Sequence, residues 1–586
     1  MCGIFAYVGP ECDAGALVFA ALKDLEYRGY DSWGITICRN GRAITVKDAG
    51  KLAKLPPRLE HTSVAVGHTR WATTGSVTKV NAHPHQDCQR KISVIHNGII
   101  ENFEALREEL LDTGHRFLSE TDTEVAAHLL EEELRRTPGP LHEALRRVSL
   151  RLEGLNALVA VSSENDELAA SKTGSPLYIG IGSSAHFLAS DPAALVGHAQ
   201  SIVRVADGQV VALRADSFTI RNAQTDAIVE PEIEALTLKP EAASLRGHEH
   251  YLGKEIAEQP ALLRKIAAED DSKLGPLREA VERSRKIWFT GCGTAYHEGL
   301  LGAHFWSKYG KQEAQAVYAH ELEQHHRFIR PDDLLFALSQ SGETIDLLDA
   351  VRALEPLGAR TAALVNVPSS SLAYEADVVG LLDAGPEKAV LSTKAFSVTV
   401  AYLAALSGMP SEEHAQSLHR AAEAIEQLLS EDCNQELTNI AAEIAQVPSL
   451  FVLGSGGLYP AALEAALKIK EVSYIHAEGF PSAELKHGVI ALISDGTPCI
   501  VLAPKHDPHS RTLIGAGELK SRGARIIGIS PEAHPLFDTF IRVPGTGLEF
   551  LLGSVAATQI LAYKLALARG LDPDKPRNLA KSVTVR

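Results

Sequence analysis

The chain has 586 residues, of which 45% are hydrophobic and 22% are charged, and its formal net charge is −17 at pH 7. This composition is typical of a folded globular protein with several domains, and it excludes a largely disordered chain. The acidic balance argues against nucleic acid or an anionic membrane as the main partner, although a local pocket can still bind an anionic substrate.

The seven cysteines form no CxxC pair, which favours a reducing compartment without a disulfide framework. The N-terminus lacks the basic flank and long apolar run of a signal peptide, so we expect a cytoplasmic protein. Lys394 and Lys564 interrupt the apolar stretches 389–408 and 551–569, and we expect neither stretch to span a membrane. No group of His, Cys, Asp and Glu has the spacing of metal ligands, so we expect no metal and no cofactor.

Residues 2–235 contain short strands mixed with helices, such as IFAYVG, KISVIHNG and TDTEVAAHLLEEELRR. Removal of Met1 would leave Cys2 with a thiol and a free α-amine on one residue. The unperturbed pKa values of these groups are about 8.5 and about 7.7–8.0. The amine can therefore take the thiol proton near neutral pH, which predicts a nucleophile that carries its own base. A buried cysteine at a strand end is the alternative interpretation.

Three further segments of this region carry groups suited to amide chemistry. Arg70 follows the strand-like SVAVGHT, and its guanidinium suits a substrate carboxylate. Asn97 and Gly98 follow SVIH and offer a side-chain amide and a backbone N–H to an oxyanion. Asp122 precedes a predicted helix, where it is either a helix cap or a ligand of the substrate.

The motifs MCGI, LEYRGYDSWG, GHTRWATTG, NAHPH, HNGIIEN and SETDTE resemble the αββα glutaminase domain of the N-terminal-nucleophile amidotransferases. The resemblance is strongest to the glutamine:fructose-6-phosphate amidotransferase family. It implies that Cys2 is the nucleophile, that Asn97 and Gly98 form the oxyanion hole, and that Trp71 gates an ammonia passage. It also implies a set of residues that hold the carboxylate and amine of glutamine: Arg70, Thr73 and Asp122.

Two positions depart from the pattern of this family in the segment that would hold glutamine. The family usually has histidine where this chain has Thr74, and an acidic residue where it has Ser76. We expect these changes to loosen glutamine binding or its coupling to a second site. Because Cys2, Asn97 and Gly98 are retained, we expect glutamine hydrolysis to persist.

Residues 236–250 lack periodicity and are the predicted linker. Beyond them, two strands each run into a glycine pair: KIWFT into Gly291-Cys292-Gly293, and SLFVL into Gly454-Ser455-Gly456. Strand–helix alternation after each pair predicts two doubly wound parallel sheets, over residues 251–430 and 431–575, before a tail of residues 576–586. Neither glycine pair completes G-x-G-x-x-G, so we do not expect a dinucleotide site.

The segment SQSGET lies between the predicted strand DLLFALS and the predicted helix IDLLDAVRAL. Hydroxyl groups and unpaired backbone N–H groups thus meet at a helix N-terminus, which favours a phosphate site over an ordinary capped helix. Thr294 and Ser392 follow other strands and are predicted to line the same pocket.

One predicted helix of the second half, PAALEAALKIKEVSYI, is apolar except for a few charges. Glu464, Lys468 and Glu471 fall within about 60° of one another at helical spacing. They form either a surface ion-pair ladder or the wall of a polar pocket. In a pocket, Glu471 would be suited to move a proton between adjacent sugar carbons. His487 is a candidate acid or base for ring opening, and Lys581 for a Schiff base, although both residue types are more often structural or solvated.

GCGT, SQSGET, STKAF, KEVSYIHAE, ELKHG and PRNLAKSVTV resemble the sugar isomerase (SIS) domains of the same family. The resemblance implies Lys581 as the Schiff-base lysine, Glu471 as proton shuttle and Lys468 as its helper. It implies that His487 opens the ring from a neighbouring subunit, and therefore a homodimer. The implied phosphate ligands are Ser339, Gln340, Ser341 and Thr344.

A third departure from the family lies after GCGT, where serine is usual and this chain has Ala295. One lost hydrogen bond to a charged group is worth about 1.5–3 kcal/mol. The exact ketose phosphate therefore remains open.

The expected function is glutamine-dependent conversion of fructose 6-phosphate to glucosamine 6-phosphate. The alternatives are a deaminase or deglycase acting on amino-sugar phosphates, a related amidotransferase acting on another ketose phosphate, and a sugar-phosphate-sensing regulator. The glutaminase motifs argue against the first alternative. The charged helix and tail lysine argue against the regulator.

Overall fold

The computed structural model describes residues 2–53, 61–164, 166–237, 245–269, 271–505 and 510–584. The chain forms two compact units, one of Met1–Ala243 with Ala580–Arg586 and the other of Ser244–Leu579. Residues 238–244 of the predicted linker lie outside the described residues.

The first unit is built from short strands and a few helices. Its strands are β1 (Gly3–Cys12), β2 (Ser32–Arg39), β3 (Arg42–Ala49), β4 (Thr62–Arg70), β5 (His85–Gln86), β6 (Ile92–Gly98), β7 (Asn156–Ser162), β8 (Leu168–Lys172), β9 (Tyr178–Ile181), β10 (His186–Ala189), β11 (Ser201–Arg204), β12 (Gln209–Leu213), β13 (Phe218–Asn222), β14 (Ile228–Val229) and β15 (Glu234–Ala235). Its helices are α1 (Ala14–Leu25), α2 (Phe103–Asp112), α3 (Glu124–Arg136) and α4 (Leu141–Ser149).

Within the described residues, these strands form two antiparallel sheets. The orders are β15-β11-β9-β10-β1-β4-β2-β3 and β14-β13-β12-β8-β7-β6-β5. Ile4 and Val66 of the first sheet pack in one cluster with Ile95 and Val159 of the second, so the two sheets face each other. Helix α1 contacts the first sheet, and α3 and α4 contact the second. The predicted αββα sandwich is confirmed.

The hydrophobic run of β1 follows from burial on both of its faces. Phe5 and Tyr7 pack with the cluster that includes α1, whereas Ile4 and Ala6 pack between the sheets. A strand covered on both sides needs apolar residues at nearly every position, which is why IFAYVG shows no alternation. This strand begins directly after Cys2 and therefore holds that residue in a fixed place.

The second unit alternates helices and strands. Its helices are α5 (Tyr251–Ala268), α6 (Gly275–Arg283), α7 (Thr294–Tyr309), α8 (Ile345–Arg352), α9 (Ser371–Glu375), α10 (Lys394–Leu406), α11 (Ser411–Leu429), α12 (Glu431–Ile444), α13 (Leu458–Ser473), α14 (Arg511–Lys520) and α15 (Leu548–Ala568). Its strands are β16 (Lys286–Gly291), β17 (Glu313–Tyr318), β18 (Leu334–Ser339), β19 (Arg360–Val365), β20 (Val378–Leu381), β21 (Ser449–Gly454), β22 (His476–Pro481), β23 (Pro498–Leu502), β24 (Arg525–Ser530) and β25 (Thr539–Arg542).

Among the described residues, these strands form two parallel sheets with equivalent orders, β17-β16-β18-β19-β20 and β22-β21-β23-β24-β25. The predicted pair of doubly wound sheets is confirmed. In each sheet the strand order reverses beside the first strand of the copy. Such a reversal opens a crevice at the carboxyl ends of the strands, where ligands of these folds bind. In the first copy, GCGT follows β16 and SQSGET follows β18, so both motifs lie at this edge.

Helix α15 covers most of the apolar stretch 551–569, which we did not expect to span a membrane. With its observed bounds it has 21 residues and a mean hydropathy of 1.5, which is long and apolar enough to cross a membrane by composition alone. However, 83% of the 18-residue apolar stretch of this helix is buried in the protein, where the helix contacts α11, α12 and α13. Burial in the core therefore explains its apolar character.

Candidate active sites

The thiol of Cys2 lies against the backbone of the segment that follows β4. The N–H of Trp71 donates to Sγ at 3.2 Å, and the thiol lies 3.5 Å from the carbonyl oxygen of the same residue. Burial raises the pKa of the Cys2 thiol. Because the thiolate is disfavoured here, a base is needed at neutral pH, as the α-amine of a processed Cys2 would provide.

Asn97 directs its side-chain amide to Cys2. Its Nδ2 donates to the Cys2 carbonyl at 2.9 Å, and its Oδ1 lies 3.0 Å from Nε2 of His68. Nε2 of His68 also lies 2.9 Å from the carbonyl of His96. Two acceptors at one ring nitrogen place the proton on Nε2, so His68 fixes the orientation of the Asn97 amide. His68 was not among the residues predicted from the sequence, although GHTRW places it two residues before Arg70.

Gly98 ends β6 in a conformation that requires glycine. Its φ is +137°, and a Cβ added there would lie 2.0 Å from the carbonyl oxygen of Leu155 and 2.8 Å from Nε2 of His96. The backbone of this position is therefore enclosed on the side where another residue would carry a side chain. This close packing sets the direction of the peptide groups beside the Asn97 amide.

Arg70 is buried at the end of β4, and its guanidinium holds the following loop in place. The guanidinium donates to the carbonyls of Thr74, Gly75 and Ser76. Trp71 is half-buried beside Cys2, whereas Thr73 is exposed on the loop. The predicted glutamine ligands Arg70 and Thr73 thus belong to one loop, whose shape depends on the arginine.

The two unusual residues of this loop are bound into the same structure. Thr74 supplies a carbonyl to Arg70, and Ser76 donates through its N–H (3.1 Å) and its hydroxyl (2.7 Å) to Glu120. Asn81 donates to the same carboxylate at 2.8 Å. The Ser76 hydroxyl, with these other donors, lowers the pKa of Glu120 to about 2. An acidic residue at position 76 would instead face Glu120, so serine is suited to this loop.

Asp122 is buried and does not cap α3. Its Oδ2 accepts from the N–H of Ile100 at 2.8 Å, and Thr123 is the residue that precedes the helix. The helix-cap interpretation is therefore wrong. The contact joins the start of α3 to the segment after Asn97 and Gly98, which brings a carboxylate close to the predicted oxyanion hole.

In the second unit, the SQSGET segment forms a tight loop between β18 and α8. Ser339 Oγ accepts from the N–H of Gly342 at 2.9 Å, and Ser341 Oγ accepts from the N–H of Glu343 at 3.2 Å. The Gln340 carbonyl accepts from Asn366, and Thr344 directly precedes α8. The predicted phosphate ligands therefore share one loop at a helix N-terminus.

A buried chain of polar groups links α7 of the first sheet with α13 of the second. Lys468 Nζ donates to Thr294 Oγ1 at 3.0 Å, and that hydroxyl donates to Glu464 at 3.0 Å. Lys468 Nζ lies 3.5 Å from Glu464 and 2.7 Å from Glu471. The predicted shared face of the three charged residues is confirmed. The surface ladder is excluded, because the side chains of Glu464 and Lys468 are 0% and 1% exposed.

The charges in this chain stabilise one another against burial. Burial disfavours the charged form of Lys468, but Glu464 and Glu471 outweigh it and raise the pKa of the lysine. Burial likewise opposes ionisation of Glu464, but Lys468 and His297 lower its pKa. His297 Nδ1 lies 2.8 Å from Glu464. His297 was not among the residues predicted from the sequence, although it lies one turn after Thr294 in GCGTAYH.

Ser392 and Thr393 precede α10 at the carboxyl side of the first sheet. Their hydroxyl oxygens are buried and have no hydrogen-bond partner among the described residues. Ala295 lies in the first turn of α7 and is half-buried. The two hydroxyls are therefore candidates to bind a ligand.

His487 and Lys581 lie outside the segments that supply this buried chain. His487 is exposed at the end of the 3-10 helix Leu485–His487. Lys581 is half-buried in the C-terminal segment that groups with the first unit. Arg577, four positions before Lys581, donates its N–H to the hydroxyl of Tyr474 at 2.7 Å. That contact anchors the first residues of the predicted tail at the end of α13.

The structure contradicts the expectation that no group of metal-type ligands exists. Cys88, His115, His128 and Glu131 each offer a ligand atom, and these atoms lie within 4.8 Å of one another. Three separate segments supply them, so their spacing in the sequence gives no signal.

Comparisons with known proteins agree with the two-unit organisation. Residues 68–197 match the glutamine amidotransferase domain, and residues 281–408 and 443–535 match the SIS domain. A glutamine–fructose-6-phosphate aminotransferase (isomerizing) of Pyrococcus horikoshii is 39% identical over 601 residues and 100% of both chains. One of Streptomyces coelicolor is 39% identical over 621 residues and 100% of both chains.

Among solved structures, the C-terminal domain of a glucosamine-fructose-6-phosphate aminotransferase from Francisella tularensis matches with a TM-score of 0.52 and 29% identity. The match covers 57% of this chain and 100% of that one.

The αββα unit with Cys2 beside Asn97, joined to two SIS domains, defines a glutamine amidotransferase that carries a sugar isomerase part. Because its relatives match over their full length, the chain belongs to the glutamine–fructose-6-phosphate aminotransferase (isomerizing) family.

Proposed function

We propose that the protein converts D-fructose 6-phosphate and L-glutamine to D-glucosamine 6-phosphate and L-glutamate, the first step of amino-sugar synthesis. The observation that carries this proposal is the presence of two sites in one chain. One is the Cys2 thiol, whose backbone carbonyl accepts from the Asn97 amide, and the other is the face of α13 that pairs Lys468 with Glu464 and Glu471. A protein that only isomerised or deaminated sugars would have no use for the first site.

In the first unit, the Cys2 α-amine accepts the thiol proton, and Sγ attacks the side-chain amide carbon of glutamine. The Asn97 amide and the Gly98 N–H stabilise the oxyanion, as donors held in advance by the fold. Collapse of this intermediate releases ammonia and leaves a thioester, which water hydrolyses to glutamate. Arg70, Thr73 and Asp122 hold the carboxylate and amine of glutamine, and Trp71 gates the passage of ammonia.

In the second unit, the loop of residues 339–344 and the free hydroxyl of Ser392 bind the sugar phosphate. His487 opens the ring, and Lys581 condenses with the C2 carbonyl to form an imine and water. Ammonia from glutamine displaces the lysine and leaves an imine of the sugar. Glu471 then takes a proton from C1 and returns it to C2, while the proton of the C1 hydroxyl passes to the imine nitrogen, which yields the 2-amino aldose. Lys468, 2.7 Å from Glu471, stabilises its carboxylate between these transfers.

We assign the glutaminase to residues 2–235, a linker to 236–250, the SIS domains to 251–430 and 431–575, and a tail that closes the sugar site to 576–586. We also propose a cytoplasmic homodimer in which His487 enters the site of the neighbouring subunit. The exposure of His487 in the single chain supports this arrangement.

The test supplies methionine-trimmed protein with amide-¹⁵N glutamine and fructose 6-phosphate, and follows the label by mass spectrometry. We expect label in glucosamine 6-phosphate and a rise in glutamine turnover when the sugar is added. Label that stays in free ammonia with every ketose phosphate offered would overturn the proposal. Transfer to a different ketose phosphate would identify that sugar as the substrate, and Ala295 as the position to revert to serine.

Two variants separate the half-reactions. Cys2→Ala should abolish glutamate formation. Lys581→Ala should abolish sugar amination while glutamate still forms. Normal glutamate formation by Cys2→Ala would contradict the role of the thiol.

A further inference from the structure

Four side chains of the first unit converge at a point that the proposed reaction does not use. Sγ of Cys88 lies 3.7 Å from Nδ1 of His115 and 3.6 Å from Nδ1 of His128. Oε2 of Glu131 lies 3.1 Å from the first nitrogen and 3.5 Å from the second. These four atoms define a small cage of one sulfur, two nitrogens and one oxygen.

The size of the cage fits a tetrahedral ion. Zinc binds nitrogen and oxygen at about 2.0–2.2 Å and sulfur at about 2.3 Å, so neighbouring ligand atoms of a tetrahedral site lie about 3.3–3.8 Å apart. Of the four separations given above, three fall in this interval and the fourth, 3.1 Å, is slightly shorter. All six pairs of ligand atoms lie within 4.8 Å. Thiolate and imidazole ligands favour zinc over magnesium or calcium, which prefer oxygen.

The surroundings of the cage orient its ligands as those of a metal site are oriented. Both histidines direct Nδ1 inward, while their Nε2 atoms face carboxylates: His115 lies 3.5 Å from Glu132, and His128 lies 3.7 Å from Glu124. At His115, the Glu132 carboxylate can hold the proton on the outer nitrogen and leave the inner nitrogen to bind a metal. Nε2 of His128 has no hydrogen-bond partner among the described residues. The N–H of Arg116 donates to the Cys88 sulfur at 3.5 Å.

We propose that Cys88, His115, His128 and Glu131 bind one Zn²⁺ in a structural site. The protein fills all four positions, so the ion has no open position for catalysis. The thiol proton of Cys88 leaves to solvent as the Zn–S bond forms. The ion joins the loop after β5 and the segment after α2 to α3, and α3 begins two residues after Asp122.

The test measures zinc in the full-length protein. Metal-free protein is mixed with equimolar ZnCl₂, freed of loose metal by gel filtration, and analysed by mass spectrometry for zinc. We expect about one zinc per chain in the unaltered protein and none in Cys88→Ser/His115→Ala. The matched control Cys433→Ser/His61→Ala, which removes a thiol and an imidazole elsewhere, should retain one. Equal zinc in both double variants, or none in the unaltered protein, would overturn the proposal.

Cobalt provides a readout that does not depend on the folding of the double variant. Co²⁺ added to the unaltered apoprotein should give the visible bands of a tetrahedral site and a sulfur-to-cobalt charge-transfer band. Cys88→Ser should remove the charge-transfer band. Glu132→Gln should weaken zinc binding by about 10–100-fold, because it removes the outer-nitrogen acceptor of His115. Octahedral cobalt spectra, unchanged by Cys88→Ser, would contradict the site.

Discussion

At the residue scale, the proposed oxyanion hole depends on histidines that stay neutral. Burial lowers the pKa of His68 to about 3, and burial also lowers the pKa values of His83 and His96. The rings of His68 and His83 stack with centroids 4.3 Å apart. A neutral His68 with its proton on Nε2 donates to Asn97, so desolvation here serves to orient the amide rather than to tune a base.

This arrangement predicts acid sensitivity in the first unit. His68 has an ordinary pKa near 6.5 when unfolded and about 3 when folded, so protons bind the unfolded state preferentially between these values. Stability is then lost as the pH falls from about 6.5 to about 3, by up to about 5 kcal/mol from this residue. His68→Gln keeps a donor but cannot titrate, and should reduce the pH dependence by up to about 1.4 kcal/mol per pH unit.

Hydrogen exchange of peptides from β4 and β6 at pH 7 and pH 5 measures this effect separately for the first unit. The exposed His61→Gln should leave the pH dependence unchanged. A pH dependence in His68→Gln equal to that of the unaltered protein would show that His68 does not carry the effect.

Gly98 offers a second test at the same scale. In Gly98→Ala, the new methyl group would lie 2.0 Å from the Leu155 carbonyl, so β6 must shift beside Asn97. We expect at least a 100-fold loss of glutaminase activity, as when an oxyanion donor is displaced. Gly208→Ala is the matched control, because Gly208 also has a positive φ (+72°) but open space around it. Equal losses in both variants would assign the effect to backbone conformation alone.

At the element scale, helix α13 carries Glu464 and Lys468, which are both buried and therefore need to stay paired. Lys468→Met removes the cation beside Glu464, whose side chain is 0% exposed. Removing one partner of a buried pair costs about 3–5 kcal/mol, because the other charge stays buried. Chemical denaturation should show this loss, and adding Glu464→Gln to Lys468→Met should restore part of it.

The control for this helix is an exposed pair on α6. The side chains of Arg283 and Glu279 are 71% and 58% exposed and lie 2.5 Å apart. Arg283→Met should change stability by less than about 1 kcal/mol. A similar small change in Lys468→Met would mean that water reaches Glu464 in solution.

Sequence patterns predicted the central elements of the fold and missed its edges. Strands β16 and β18 are buried on both faces, so their sequences are continuous apolar runs that predict strands. The edge strand β17, with the sequence EAQAVY, is mostly half-buried or exposed and therefore carries no such run. Burial, rather than strand propensity, was the source of the signal.

The candidate sites divide in the same way. Residues within one motif, such as those of the SQSGET loop, could be placed together because the chain itself keeps them adjacent. His68 and His297 act through partners 29 and 167 residues away in sequence. The cage around Cys88 combines side chains from three segments of the chain. Sheet register and helix packing bring such distant residues together, and a single sequence does not reveal either.

At the scale of the whole molecule, the two SIS copies differ in their polar groups. In the second copy, Thr512 donates to Ser455 at 3.0 Å and accepts from Ser482 at 3.3 Å, so these hydroxyls satisfy one another. In the first copy, Ser392 and Thr393 lack partners among the described residues. The proposed function therefore uses the two copies differently. Hydroxyl groups of the first copy would bind the phosphate, and the charged face of α13 in the second copy would serve the proton transfer.

The proposed dimer extends this division across subunits and predicts complementation. If His487 acts in the neighbouring site, a mixed dimer of His487→Asn and Glu471→Gln chains contains one site with both native residues. Random exchange produces such mixed dimers in about half of the population, so activity should reach about a quarter of the unaltered level. Each variant alone should be inactive in glucosamine 6-phosphate formation. Sugar amination measured after co-expression, with both variants tagged, checks this result. Mixed dimers that stay inactive would place His487 in the site of its own chain, since a residue acting within one subunit cannot be supplied by the other.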